Sequence, residues 1–222
     1  IHLSGGMCVD AGAYRAMPSR LKEDVSQEAQ VANDYRGRLA YELLQNADDA
    51  MADASTTNDK ISFTVTDDEL WIANTGRALN EDDVRGLCGL GASSKVDAEG
   101  NRRASIGHKG LGFKSVLEIT DEPVVYSREF SFALGHKHAR HEVDKLWRSE
   151  GRQKPKSVPA MRFPVRLDNP DEKWSEYAAE GFNTAFCLPF GATVTPDLRA
   201  GIAELLLGLP LTTVLFLKHL ET

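Results

Sequence analysis

The stretch Ile61-Ser62-Phe63-Thr64-Val65 alternates apolar and polar side chains, Asp67-Asp68 supplies a polar turn, and Leu70-Trp71-Ile72-Ala73 follows. This order of runs predicts a β-hairpin, so at least part of the sheet closes locally and antiparallel. On either side the apolar period changes from two to that of a helix. Residues 19–51 repeat apolar positions at Val31, Leu39, Leu43, Leu44 and Ala47, which predicts a helical hairpin or one long helix, with Ser19 or Ser26 at its start. Asn80, with Asp83 three residues on, opens a short helix through Val84 and Leu87. Residues 111–119 read as a helix, residues 124–126, 130–134, 161–165 and 184–188 as strands, and residues 196–207 as a late helix begun by Pro196. Helices interspersed with hairpin strands predict an α+β fold, a two-layer sandwich with a mixed, mostly antiparallel sheet and helices on one face. Residues 149–160, with Pro155, Pro159 and three basic side chains, are expected to form an exposed excursion.

Composition narrows the function classes. The net charge of −7 is opposite to the basic footprint of a nucleic-acid module, so direct nucleic-acid binding is not expected. Cys8, Cys88 and Cys187 are too far apart and too few for a disulfide framework or a cysteine zinc site, which favours a reducing, cytoplasmic setting. The longest uncharged apolar run, residues 205–217, is interrupted by Gly208 and Pro210 and falls short of the roughly 18 residues a membrane span needs. The start, Ile1-His2-Leu3-Ser4-Gly5-Gly6, has no charged region followed by an apolar one, so no secretory signal is expected.

Three stretches carry chemistry. In Glu42-Leu43-Leu44-Gln45-Asn46-Ala47-Asp48-Asp49-Ala50, a helix turning about 100° per residue puts Glu42, Asn46 and Asp49 within about 60° of one another. Ala40, Leu43, Leu44, Ala47 and Met51 take the opposite face. The plain reading is an amphipathic helix with a solvated side. Asn46, however, is a poor helix former, and carboxamide and carboxylate oxygens suit a hard cation such as Mg²⁺. In Ile106-Gly107-His108-Lys109-Gly110-Leu111-Gly112-Phe113-Lys114-Ser115, three glycines precede a helix, where backbone N–H groups and the helix dipole favour an anion; Lys109 and Lys114 add countercharge. A tight structural turn explains the glycines equally well, and the spacing matches neither the P-loop nor the Rossmann pattern. In Asn74-Thr75-Gly76, a polar side chain at a strand end can meet a base edge or simply make a turn. Residues 91–110, polar and without an apolar period, read as a long mobile loop.

Taken in order, these residues resemble the GHKL superfamily of ATP-binding domains, which includes DNA gyrase B, the gyrase-like heat-shock chaperones, sensor histidine kinases and MutL. Glu-Leu-Leu-Gln-Asn-Ala-Asp-Asp-Ala and Gly-His-Lys-Gly-Leu-Gly-Phe-Lys-Ser-Val look most like the sacsin-type, chaperone-related branch. The resemblance is strong over residues 35–130 and continues weakly through Asn183-Thr184-Ala185-Phe186 and Leu215-Phe216-Leu217. It implies a Bergerat-type sandwich over residues 1–222, forming an N-terminal portion of a longer protein, with a mobile ATP lid over residues 91–110. It also implies ATP and Mg²⁺ as cofactors. Asn46 would hold the metal, Glu42 would be the catalytic base on the attacking water, and Asp49 would line the pocket. Asn74 would meet the adenine amino group, where the family usually has Asp, with Gly76 beside it. Ser94 and Lys95 would stand at the start of the lid. Gly107, His108, Lys109, Gly110, Leu111, Gly112, Phe113 and Lys114 would form the phosphate turn, and Thr184 would help fix adenine.

The activity implied is slow ATP hydrolysis driving a conformational change in a larger chaperone-like or defence-type protein. Its partners would be ATP and ADP, the downstream domains and, in some arrangements, a second copy as a homodimer. The competing reading is a nucleotide-sensing module without turnover. A histidine kinase core would need an upstream phosphoacceptor helix, for which residues 1–34 offer only His2. Gly135-His136-Lys137-His138-Ala139-Arg140-His141 lacks a cysteine or carboxylate at partner spacing and reads as a basic surface turn, not a metal site.

Overall fold

The computed structural model describes residues 11–52, 59–89, 112–128 and 130–209. Its sheet has six strands in the order β1-β2-β6-β3-β4-β5: β1 Ile61–Val65, β2 Glu69–Asn74, β3 Val124–Ser127, β4 Phe130–Ala133, β5 Val165–Arg166 and β6 Thr184–Pro189. All five pairings are antiparallel, so the parallel member expected of a mixed sheet is absent among the described strands. The α+β two-layer class holds. One strand expectation is corrected: residues 161–163 are buried loop, and β5 is confined to Val165–Arg166.

The helices are α1 Ala11–Ala16, α2 Ser19–Asp34, α3 Leu39–Ala52, α4 Glu81–Cys88, α5 His136–Ser149, α6 Glu172–Ala179 and α7 Pro196–Leu207, with a 3-10 helix at Gly112–Glu118. The expected single helix or hairpin over residues 19–51 divides into α2 and α3 around Gly37, whose φ of 73° suits glycine. Neither serine caps α2; Pro18 stands at its N-cap and no side chain accepts there. Asn80 forms the expected capping box with Asp83, and Thr195 caps α7 ahead of Pro196. The basic turn expected around His136 is the start of α5, an amphipathic helix burying Ala139, Val143, Leu146 and Trp147. The excursion is exposed from residue 151 to 157 apart from half-buried Pro155, then turns inward at Val158, Pro159 and Ala160.

Strand alternation sorts the core into two layers. Leu70, Ile72, Val125, Phe132, Phe186 and Leu188 pack with α3, α4 and the 3-10 helix. On the opposite face, Trp71, Tyr126, Ala185 and Cys187 meet Trp174 and Tyr177 of α6. Trp71 and Tyr126 stack with centroids 5.4 Å apart, as do Tyr126 and Trp174 at 5.8 Å. Helices α3 and α4 with the 3-10 helix thus cover one face, and the short α6 covers part of the other. No helix of the described residues is long and apolar enough to cross a membrane.

Candidate functional site

Helix α3 seats itself through Ala40, Leu43, Leu44, Ala47 and Met51, all buried. Glu42, Asn46 and Asp49, on the other side, are half-buried, neither sealed in the core nor fully in solvent.

Two glycines bring further walls against this helix. A β-carbon on Gly76 would lie 2.6 Å from the Ala50 carbonyl carbon and 2.7 Å from the Met51 nitrogen, so the turn after β2 rests on the α3 backbone. The Arg77 N–H donates to the Ala50 carbonyl at 2.8 Å, which fixes that approach. A β-carbon on Gly112 would collide with the Glu42 carboxylate, lying 2.8 Å from its Cδ. The start of the 3-10 helix is therefore seated on the side chain at the far end of the same helical face. Glu42 and Ala50 are about 12 Å apart along the axis at about 1.5 Å per residue, on the scale of a nucleoside triphosphate.

The third wall is the end of the sheet. Asn74 and Thr184 are register partners across β2 and β6, and Ser127 of β3 is the partner of Thr184 on its other side. By strand parity all three lie on the face that meets α3. The Asn74 Oδ1 accepts from the Gly76 N–H at 3.1 Å, making a side-chain turn. Thr184 Oγ1 and Ser127 Oγ lie 3.1 Å apart, and Ser127 Oγ also accepts from the Leu79 N–H at 2.8 Å. Asn183 staples the turn: its Nδ2 donates to the Thr75 and Gly76 carbonyls at 2.8 and 2.9 Å, and its Oδ1 accepts from Arg128 Nε at 2.7 Å.

The structure thus brings Glu42, Asn46, Asp49, Asn74, Gly76, Gly112 and Thr184 around one region. The side chains of Phe113 and Lys114 turn inward. Both are fully buried: Phe113 packs on Phe186 with ring centroids 5.0 Å apart, and Lys114 Nζ donates to the Leu87 carbonyl at 3.1 Å. The tight winding after Gly112 turns these side chains into the core, so neither lies on a phosphate-facing surface. Ser94, Lys95, Gly107, His108, Lys109, Gly110, Leu111 and the lid expected over residues 91–110 lie outside the described residues. Ser127 and the stapling role of Asn183 escaped the sequence reading. Strand parity could have flagged Ser127, since it shares the inward face with Val125.

Among the described residues, no group of three or more His, Cys, Asp or Glu side chains is placed to hold a metal. The donors present suit Mg²⁺ in one form: a carboxamide at Asn46, with phosphate and water oxygens completing the shell. A separate apolar cavity of about 180 Å³ opens between α3, the end of the 3-10 helix and α7, lined among others by Leu39, Leu43, Leu198 and Ile202. No predicted site residue lines it, so the convergence of polar groups, not that cavity, defines the candidate site.

The model of the family described as Sacsin domain matches residues 25–164, from within α2 to just short of β5. Human Sacsin is 38% identical over 122 residues, 50% of this chain and 3% of that protein. Protein NO VEIN of Arabidopsis thaliana is 33% identical over 91 residues, 41% of this chain and 3% of that protein. The matches thus span about 3% of the length of these relatives.

Proposed function

Because this chain belongs to the Sacsin domain family, within the sacsin-type branch of the GHKL resemblance, we propose that it binds ATP with Mg²⁺ and hydrolyses it slowly. The observation that carries this reading is the seating of Gly112 on the Glu42 carboxylate, which sets a helix face and a glycine turn on two sides of one site. Hydrolysis of a terminal phosphate needs an oriented water, charge stabilisation and donors around the phosphate oxygens. Glu42 orients the water and takes its proton. Gly112, with no β-carbon, leaves room for the Glu42 carboxylate to lie against the turn. Asn46 would hold Mg²⁺, which would supply charge neutralisation at the phosphates.

At the sheet end, Asn74 Oδ1 keeps one lone pair for the Gly76 N–H and offers the other to the adenine amino group. Thr184 flanks it. Loss of the charge-assisted part of that bond, relative to Asp, weakens adenine binding by about 1 kcal/mol.

In the longer protein, turnover would be coupled to downstream domains in a chaperone-related or defence-type role, in the cytoplasm; the free thiols of Cys88 and Cys187 fit that compartment. Calorimetric titration with ATP, ADP and GTP, with and without Mg²⁺, tests binding. Single-turnover assays of wild type and Glu42→Ala test hydrolysis. Equal residual rates in the two would leave a nucleotide sensor without turnover, and no heat with any nucleotide would end the reading.

A further inference from the structure

Away from the candidate site, Asp24, Glu28, Lys114 and Arg162 are all buried. Two of them cap the C-terminal end of α4: Lys114 Nζ donates to the Leu87 carbonyl at 3.1 Å and Arg162 Nη1 to the Cys88 carbonyl at 2.9 Å. Those carbonyls lie in the last helical turn and carry partial negative charge, so cations suit them. The countercharges come from α2. Arg162 Nη2 lies 3.2 Å from Asp24 Oδ2, which also accepts from the Tyr14 hydroxyl at 2.5 Å. Glu28 accepts from the Ala160 and Met161 N–H groups at 2.6 and 2.9 Å. Burial raises the Glu28 pKa, while those N–H groups and the Lys114 ammonium draw it back down.

A buried ion network is a poor device for stability alone, because apolar replacements of similar volume often serve as well or better. What it does supply is position. Lys114 is two residues past Gly112, and its ammonium donates to the Leu87 carbonyl at the end of α4. The end of α4 and the start of the 3-10 helix are thereby held at a set separation and tied to α2.

We infer that Lys114 is a positioning residue, backed by Glu28 and the Arg162–Asp24 pair, that holds Gly112 in register with the Glu42 carboxylate. This rests on the Mg²⁺-ATP reading, in which the Gly112 turn meets the terminal phosphate. Displacing that turn should therefore weaken ATP and spare ADP.

The test is calorimetric titration of wild type, Lys114→Met and the double variant Glu28→Gln/Lys114→Met with Mg²⁺-ATP and Mg²⁺-ADP, with melting temperatures taken alongside. The double variant removes both charges together and so keeps a folded sample available. Both variants are expected to lose about tenfold or more in ATP affinity while ADP affinity stays within about threefold. If wild type binds both nucleotides and the variants lose neither, or lose both equally, the positioning role is overturned and the nucleotide reading stands. Wild type binding neither nucleotide would overturn both.

Discussion

Gly112→Ala and Gly76→Ala add the same methyl group to two walls of one site, yet the structure predicts opposite outcomes. Gly112 is not among the left-handed glycines, so alanine fits its backbone and gains about 0.4–1 kcal/mol by restricting the unfolded chain. The atoms nearest the new methyl belong to the Glu42 side chain, whose carboxylate can rotate away at an off-rotamer cost of about 0.5–1.5 kcal/mol. The Arg38–Glu42 pair at 3.6 Å is largely solvated on the Arg38 side and adds little to that cost. The two effects nearly cancel, leaving a stability change within about 1 kcal/mol, a few degrees at most for a chain of this size.

Displacing the Glu42 carboxylate by about 1 Å, in contrast, should reduce turnover by about 10²-fold. At Gly76 the methyl meets the Ala50 carbonyl carbon and Met51 nitrogen, which cannot rotate away. Overpacking against that backbone should cost about 1–3 kcal/mol and strain the Arg77–Ala50 bond. Scanning calorimetry with a phosphate-release assay on both variants separates the effects. Wild-type turnover in Gly112→Ala, or a larger fall in melting temperature there than in Gly76→Ala, would refute the argument.

Other expectations follow from the same contacts. Asn74→Asp keeps the acceptor for the Gly76 N–H and should bind ATP at least as tightly in titration; lost binding would mean that this side chain meets a different base edge. Arg162→Met leaves Asp24 buried with Tyr14 as its remaining partner and should cost about 3–5 kcal/mol in urea denaturation. Tyr14→Phe removes one bond to a charged group and should cost about 1.5–3 kcal/mol, with the two changes non-additive because they share Asp24. The raised Glu28 pKa means that the folded chain holds a proton more tightly than the unfolded one. Stability at this site is therefore greatest below the unfolded value of about 4.3 and falls as pH rises from there through the folded value. Glu28→Gln should flatten that limb of the melting temperature against pH, and an unchanged slope would show that the carboxyl is not titrating there.

What was legible in the chain was local. The β1–β2 hairpin, the Asn80 capping box and the Pro196 helix start each depend on neighbours within a few residues, and each is where the pattern puts it. The apolar face of α3 follows from helical spacing alone. Helix α5 was obscured because its first turn, His136-Lys137-His138, is polar and its buried residues begin only at Ala139. Helix α6 is eight residues long, too short for a period to establish itself, and owes its place to Trp174 and Tyr177 meeting Trp71 and Tyr126 across the sheet. Residues 161–163 have the composition of a strand, but the Met161 N–H that a ladder would use is taken by the Glu28 carboxylate.

The same division explains why the candidate site was read more easily than its support. Glu42, Asn46 and Asp49 share a face because a helix repeats, and the glycines are visible because close backbone approach excludes other residues. Lys114 looked like a phosphate countercharge for the same local reason, since it follows a glycine turn. Its true partner, the Leu87 carbonyl, is 27 residues away, and no spacing rule connects them. A cation beside a glycine turn is ambiguous until the helix end that needs it is known. Here the last carbonyls of α4 decide where the side chain goes: Lys114 and Arg162 donate to them, so the lysine ties the turn to the helix end.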